Sequence, residues 1–195
     1  MRKIVLACCL AVSTGATMAQ TYVSARVGVT EFGIDCDGAS TCDKSDAGYQ
    51  FNVGYKFTPQ VAAELGYVNF GKVHAAGYLY GYVGGYYFYS PTYMTVDMDM
   101  TGWTAAVALR APVSPVLSGV LRLGVATITV DSHVSLAGSA RTVSETKANP
   151  YLGLGLEYAF SKNLKGTLSA DFTQFQLSGQ TGDVRMLSIG AQYDF

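Results

Sequence analysis

Apolar and polar side chains alternate one for one in eight separate stretches of this chain, the periodicity of a β-strand with two unlike faces. In the first, Val23, Ala25, Val27 and Val29 alternate with Ser24, Arg26, Gly28 and Thr30. Phe51, Val53, Tyr55 and Phe57 then alternate with Gln50, Asn52, Gly54 and Lys56, and Val61, Ala63, Leu65 and Tyr67 with Ala62, Glu64 and Gly66. Trp103, Ala105, Val107 and Leu109 oppose Thr104, Ala106, Ala108 and Arg110, while Leu121, Leu123 and Val125 oppose Arg122 and Gly124. Leu152, Leu154, Leu156, Tyr158 and Phe160 face away from Gly153, Gly155 and Glu157, and Leu164, Leu168, Ala170 and Phe172 from Thr167, Ser169 and Asp171. The last stretch sets Leu187, Ile189, Ala191, Tyr193 and Phe195 against Ser188, Gly190, Gln192 and Asp194.

The connections alternate in length. Short ones fall at Thr58-Pro59-Gln60, between Pro112 and Pro115, and at Ser161-Lys162-Asn163. Long loops are expected over 31–47, 71–100 and 131–148, and a modest one over 178–183. Short turns at one end and long loops at the other predict an all-β, eight-stranded antiparallel up-and-down transmembrane barrel, with the long loops outside the cell. A soluble β-sandwich also alternates, but it buries its apolar face, whereas here one face of every strand is apolar and the other carries Gly, Ser and charge. In lipid the sheet has to close, because no strand edge can stay unpaired. Tyr55, Phe57, Tyr158, Phe160, Tyr193 and Phe195 are placed for an aromatic girdle at the short-turn end, and Tyr67, Trp103 and Phe172 for one at the loop end. Before Gly102 the apolar positions Met94, Val96, Met98 and Met100 leave Asp97 and Asp99 on the lipid-facing phase. That flip is expected to mark the membrane edge, with a bulge at Thr101-Gly102.

The amino terminus reads as an export signal. Arg2 and Lys3 precede an apolar stretch over 4–12 and the small-residue site Ala16-Thr17-Met18-Ala19, so residues 1–19 are assigned to a cleaved signal peptide and 20–195 to the barrel. Val5-Leu6-Ala7-Cys8 mimics an acylation site, but too little apolar chain precedes that cysteine. Without the signal the chain loses two of its 13 basic residues and none of its 14 acidic ones, so nucleic acid is an unsuitable partner. Cys36 and Cys42 remain, and in an exported protein two close cysteines are expected to form a disulfide. Asp35, Asp37, Asp43 and Asp46 flank them, but Gly38 does not fit a calcium-loop spacing, so no metal and no cofactor is assigned.

Five motifs carry a family resemblance over nearly the whole mature chain: Tyr22-Val-Ser-Ala-Arg-Val-Gly28, Glu64-Leu-Gly-Tyr67, Arg122-Leu-Gly124, Gly155-Leu-Glu-Tyr158 and Met186-Leu-Ser-Ile-Gly-Ala-Gln-Tyr-Asp-Phe195. The sequence resembles the OmpA-like transmembrane barrel family. The resemblance implies that Tyr193 and the final Phe195 form the signal read by the outer-membrane assembly machinery, in a Gram-negative cell. Family members often continue into a periplasmic peptidoglycan-binding domain; for a chain ending at Phe195 that anchoring role is not expected. Matched motif by motif, Arg26, Glu64, Arg122, Glu157 and Asp171 occupy positions that are charged in better-known members. Ala108 and Ser169 depart, standing where a Lys and an Arg are expected. In those members switching of such ion pairs gates a small pore, and the two departures weigh against gating here.

On that basis the five charges are expected to form a lumen ion network, with Arg122 as the hub for Glu64, Glu157 and Asp171. Side chains nearly fill an eight-stranded barrel, so no substrate reaches these carboxylates for acid–base work. His133-Val134-Ser135 resembles the His-x-Ser of barrel lipid A deacylases, but it sits between strands five and six rather than close to the C-terminus, and His74 completes no triad. No enzyme is expected. Tyr78, Tyr80, Tyr82, Tyr86, Tyr87, Tyr89 and Tyr93, with Phe88 among them, place half of the 14 tyrosines in one loop. Such a loop suits a recognition surface for a host or phage ligand, or rings packed on each other and on lipopolysaccharide. Two functions therefore stand: a structural or surface-recognition barrel in contact with outer-membrane lipid, and a narrow low-conductance channel.

Overall fold

The computed structural model describes residues 21–34, 36, 39–83, 86–136, 139–177 and 180–195, with the backbone alone over 79–90 and at 177 and 180. The expected signal peptide lies outside them. The strands are β1 (Thr21–Gly33), β2 (Ala39–Asp43), β3 (Ser45–Lys56), β4 (Val61–Val83), β5 (Tyr86–Pro112), β6 (Leu117–Leu136), β7 (Ser139–Ala159), β8 (Leu164–Leu177) and β9 (Gln180–Asp194). Each barrel strand pairs antiparallel with its neighbours in sequence, and β1 pairs with β9 from Tyr22↔Asp194 to Gly33↔Asp183, which closes the barrel. Eight strands make the wall. The short β2 adds to the outer part of β4, from Asp43↔His74 to Ala39↔Gly77.

Three turns close one end, and all three are built alike. Thr58 Oγ1 accepts the backbone N–H of Gln60 and Val61, Ser114 Oγ those of Val116 and Leu117, and Ser161 Oγ those of Asn163 and Leu164. A hydroxyl that caps its own turn lets a strand reverse in four residues without an orphaned donor.

The other end differs from the expected long loops. The ladder simply continues: β4 runs to Val83 and β5 starts at Tyr86, so most of 71–100 is one hairpin, and over 131–148 β6 runs likewise to Leu136 and β7 starts at Ser139. β5 alone has 27 residues, more than twice the roughly 9–11 a tilted strand needs to cross a bilayer. The expected phase flip at Thr101-Gly102 is also corrected. Met100, Gly102 and Thr104 all point inward, in one unbroken phase. What flips is the chemistry of each face, since above this level the outer side is charged and the inner side apolar. The bulge lies across the ladder in β4, where the register shifts between Asn69 and Gly71 and Gly71 takes a φ of 90°. That left-handed conformation suits glycine. It turns Lys72 and His74 outward beside Asp99 and Asp97, at 3.1 Å and 2.6 Å.

Below that level the wall is inside out relative to a soluble fold. Trp103, Leu187 and Ile189 are about 60% exposed (59%, 62% and 63%), while Arg26, Arg122 and Glu157 are buried. Inside, bulky groups face glycines on the neighbouring strand: Tyr22 opposite Gly54, Asn52 opposite Gly66, Arg122 opposite Gly153 and Arg26 opposite Gly190. A Cβ on Gly54 would lie 2.0 Å from the Tyr22 ring. Glycine is required there by volume.

Candidate functional site

The lumen is stacked in three tiers. At the short-turn end Lys56 Nζ lies 2.6 Å and Lys165 Nζ 3.0 Å from Asp194 Oδ2, and Gln192 donates to the same carboxylate. Lys165 reaches up to Glu157 at 3.7 Å, joining this tier to the next.

The middle tier holds the five expected charges and one that was missed. Glu64 is where the donors converge: Tyr22 Oη donates at 2.5 Å, Arg122 Nε at 2.7 Å and Arg110 Nη2 at 3.3 Å. Arg110 Nε also forks onto both oxygens of Glu157 at 3.1 Å, and its guanidinium lies 4.8 Å from the centre of the Tyr22 ring. Arg122 reaches Glu157 only at 3.9 Å and adds a bond to Ser169. Its stem crosses Gly153 and its guanidinium Gly155, where a Cβ would come within 3.1 Å and 3.2 Å of it. Asp171 belongs to a second group, taking Arg26 at 3.0 Å and the Tyr151 hydroxyl, while Arg26 also donates to Gln50. The hub is therefore Glu64 rather than Arg122, and Asp171 pairs with Arg26. With Arg110 counted, three guanidiniums face three carboxylates, a balance that buried charges require.

Above the charges the lumen turns apolar. Phe32, Val68, Phe70, Met100, Ile128 and Met186 are each buried to 1% exposure or less and pack in one cluster with Tyr151, Phe175 and Val184. Parity alone identifies the missed members, because Lys56, Arg110, Asp194 and Phe70 share the inward phase of their strands.

Outside the lumen, Cys36 and Cys42 form a disulfide with their Cα atoms 6.2 Å apart. The Tyr78 and Tyr93 rings pack at 5.3 Å as cross-strand partners near the tip of the β4–β5 hairpin. The ladder beyond them pairs Tyr82 with Tyr87 and Val83 with Tyr86. The side chains of Tyr80, Tyr82, Tyr86, Tyr87, Phe88 and Tyr89 lie outside the described residues. Tyr193 and Phe195 stack edge to face at 5.1 Å in the short-turn girdle, as do Tyr55–Phe57 and Tyr158–Phe160. His133 bonds Thr142 at 2.9 Å rather than Ser135, and His74 bonds Asp97 on the outer surface.

A closed antiparallel barrel with an apolar outer band, girdles at both edges and a polar lumen defines a transmembrane β-barrel. The profile of the OmpA-like transmembrane domain matches residues 16–195, and the chain belongs to that family of outer-membrane barrels. No curated protein matches the chain. Its fold is similar to three solved barrels. Neisserial surface protein A has a TM-score of 0.59 at 15% identity, covering 90% of this chain and 97% of its own. Ail, the attachment invasion locus protein of Yersinia pestis, has a TM-score of 0.53 at 17% identity, covering 89% and 99%. The N-terminal barrel domain of Pseudomonas aeruginosa OprF has a TM-score of 0.52 at 15% identity, covering 90% and 98%.

Proposed function

We propose that this outer-membrane barrel is a sealed scaffold whose work is surface recognition by its extracellular sheet. The observation that supports this best is the double stopper in the lumen. An ion passing through would have to break the Glu64–Arg110–Arg122 cluster and then cross the largely apolar Phe32–Phe70–Met100 layer, where a charge is costly to bury. Meanwhile β4 to β7 spend a large part of their length beyond the apolar band, where they bring a tyrosine-bearing hairpin away from the membrane. Tyrosine gives a large contact area at low entropic cost.

Ail, a protein of like fold, has been solved in complex with the heparin analogue sucrose octasulfate. The outer segments of this chain point to a different ligand charge. Over 31–47, 71–100, 131–148 and 178–183 there are ten acids against four bases, so a polyanion would be repelled. The partner that fits is a neutral or cationic surface. The test is display on a non-adherent Gram-negative host, followed by binding to host cells, with and without the hairpin tip over 78–93. Binding that is lost with the tip supports the proposal; binding unchanged by its removal overturns it.

A further inference from the structure

We propose that the outer wall of the barrel carries a seat for a single lipid acyl chain. A groove of about 480 Å³, almost wholly apolar, runs diagonally across β8, β9, β1, β3, β4 and β5 on the lipid-facing side. Its lower wall is the cross-strand row Leu164, Tyr193, Val23, Val53 and Leu65. The next row up begins with Ala191 and Ala25, which leave the floor open, and rises through Phe51 and Tyr67 to Trp103.

The rings of that upper row are braced by one another and by Tyr49 one row above. Phe51 packs on Tyr49 at 5.7 Å, Tyr49 on Tyr67 at 6.5 Å, and Tyr67 on Trp103 at 5.3 Å. A braced aromatic wall keeps its shape when empty, so little ordering cost falls on a chain that enters.

The occupant follows from where the groove lies. It starts at the Tyr193 girdle and ends at the Trp103 girdle, so its length lies within the hydrocarbon layer and is continuous with the lipid-facing band. A second copy fits poorly, because a two-fold axis through the groove sets hollow on hollow and leaves an unfilled cavity. A flexible saturated chain fills a narrow diagonal channel without that loss. The seat is independent of the surface-recognition role.

Trp103 is the chain's single tryptophan, and it reports directly on the seat. The barrel is refolded in vesicles of phosphatidylcholine brominated in mid-chain, then moved into bromine-free detergent micelles. The expected result is about one phospholipid phosphorus retained per barrel, with Trp103 emission still quenched. Ala25→Leu with Ala191→Leu fills the floor, and both signals are expected to be lost while the heat-modifiable fold persists. Ala25→Leu alone serves if the double variant fails to assemble. Full recovery of wild-type emission with no retained phosphorus overturns the proposal. So does quenching that is equal in wild type and the filled variant, and so does a dimer that the filling abolishes.

Discussion

Replacing Glu64 by alanine removes the acceptor on which three buried donors converge, two of them cationic. Arg122 is then left with Glu157 at 3.9 Å and the Ser169 hydroxyl, and the Tyr22 hydroxyl keeps only Arg110. Arg110 retains its fork on Glu157. Breaking a buried pair by deleting one partner costs about 3–5 kcal/mol, because the other charge stays desolvated. For a denaturant dependence of about 1–3 kcal/mol per M, the urea midpoint is expected to fall by roughly 1–5 M. The converse deletion is milder. In Arg122→Ala the carboxylate of Glu64 still holds Tyr22 and Arg110, so its midpoint is expected to lie between those of wild type and Glu64→Ala. The double variant removes one charge of each sign and restores the balance of the tier, so it is expected to be more stable than Glu64→Ala alone. The assay is urea unfolding of the refolded barrel in micelles, read by the heat-modifiable band and by Trp103 emission. A Glu64→Ala barrel as stable as wild type, or a double variant whose loss equals the sum of the single losses, would refute the reasoning.

Three further outcomes are open to measurement. Gly54→Val drives a side chain into the Tyr22 ring and is expected to cost about 1–3 kcal/mol in the same urea assay, whereas Gly119→Val, in open space, is expected to be near neutral. Deleting Phe195 removes one ring of the short-turn girdle and the residue proposed to be read at assembly; unfolded, protease-sensitive protein is expected in the periplasm at high expression, and a normal yield of folded barrel would count against that role. Isothermal calorimetry with sucrose octasulfate is expected to show no binding at physiological salt, and saturable binding would overturn the charge argument.

Much of this fold was legible because a barrel wall is written in parity. The lipid face and the lumen face take alternate residues, so Val27 and Arg26 declare their sides without any knowledge of neighbours. Turn position was legible too, since Thr58, Ser114 and Ser161 each begin a four-residue reversal. The outer hairpins were not, because beyond the membrane edge the alternation persists with its polarity reversed. Asp97 and Asp99 there face water, and Met98 and Met100 turn inward, so a strand that continues looks like a loop or a slip. The bulge escaped for a related reason: the register shifts between Asn69 and Gly71, while the change in pattern shows on the strand opposite. In the lumen the inward set was readable but its pairing was not. Strand tilt brings Glu64 of β4 to Arg122 of β6, and sequence spacing carries no measure of that tilt. Arg110 was overlooked because positions were matched to the family's charged sites, and this base stands two residues beyond the alanine found there.

The most direct test of the sealed scaffold is a single-channel recording of the wild-type barrel in a planar lipid bilayer. With the Glu64 cluster and the Phe32–Phe70–Met100 layer both intact, no steady conductance above the bare-bilayer baseline is expected. A large, steady current from the wild-type protein would contradict the account, and would assign the barrel to conduction rather than recognition.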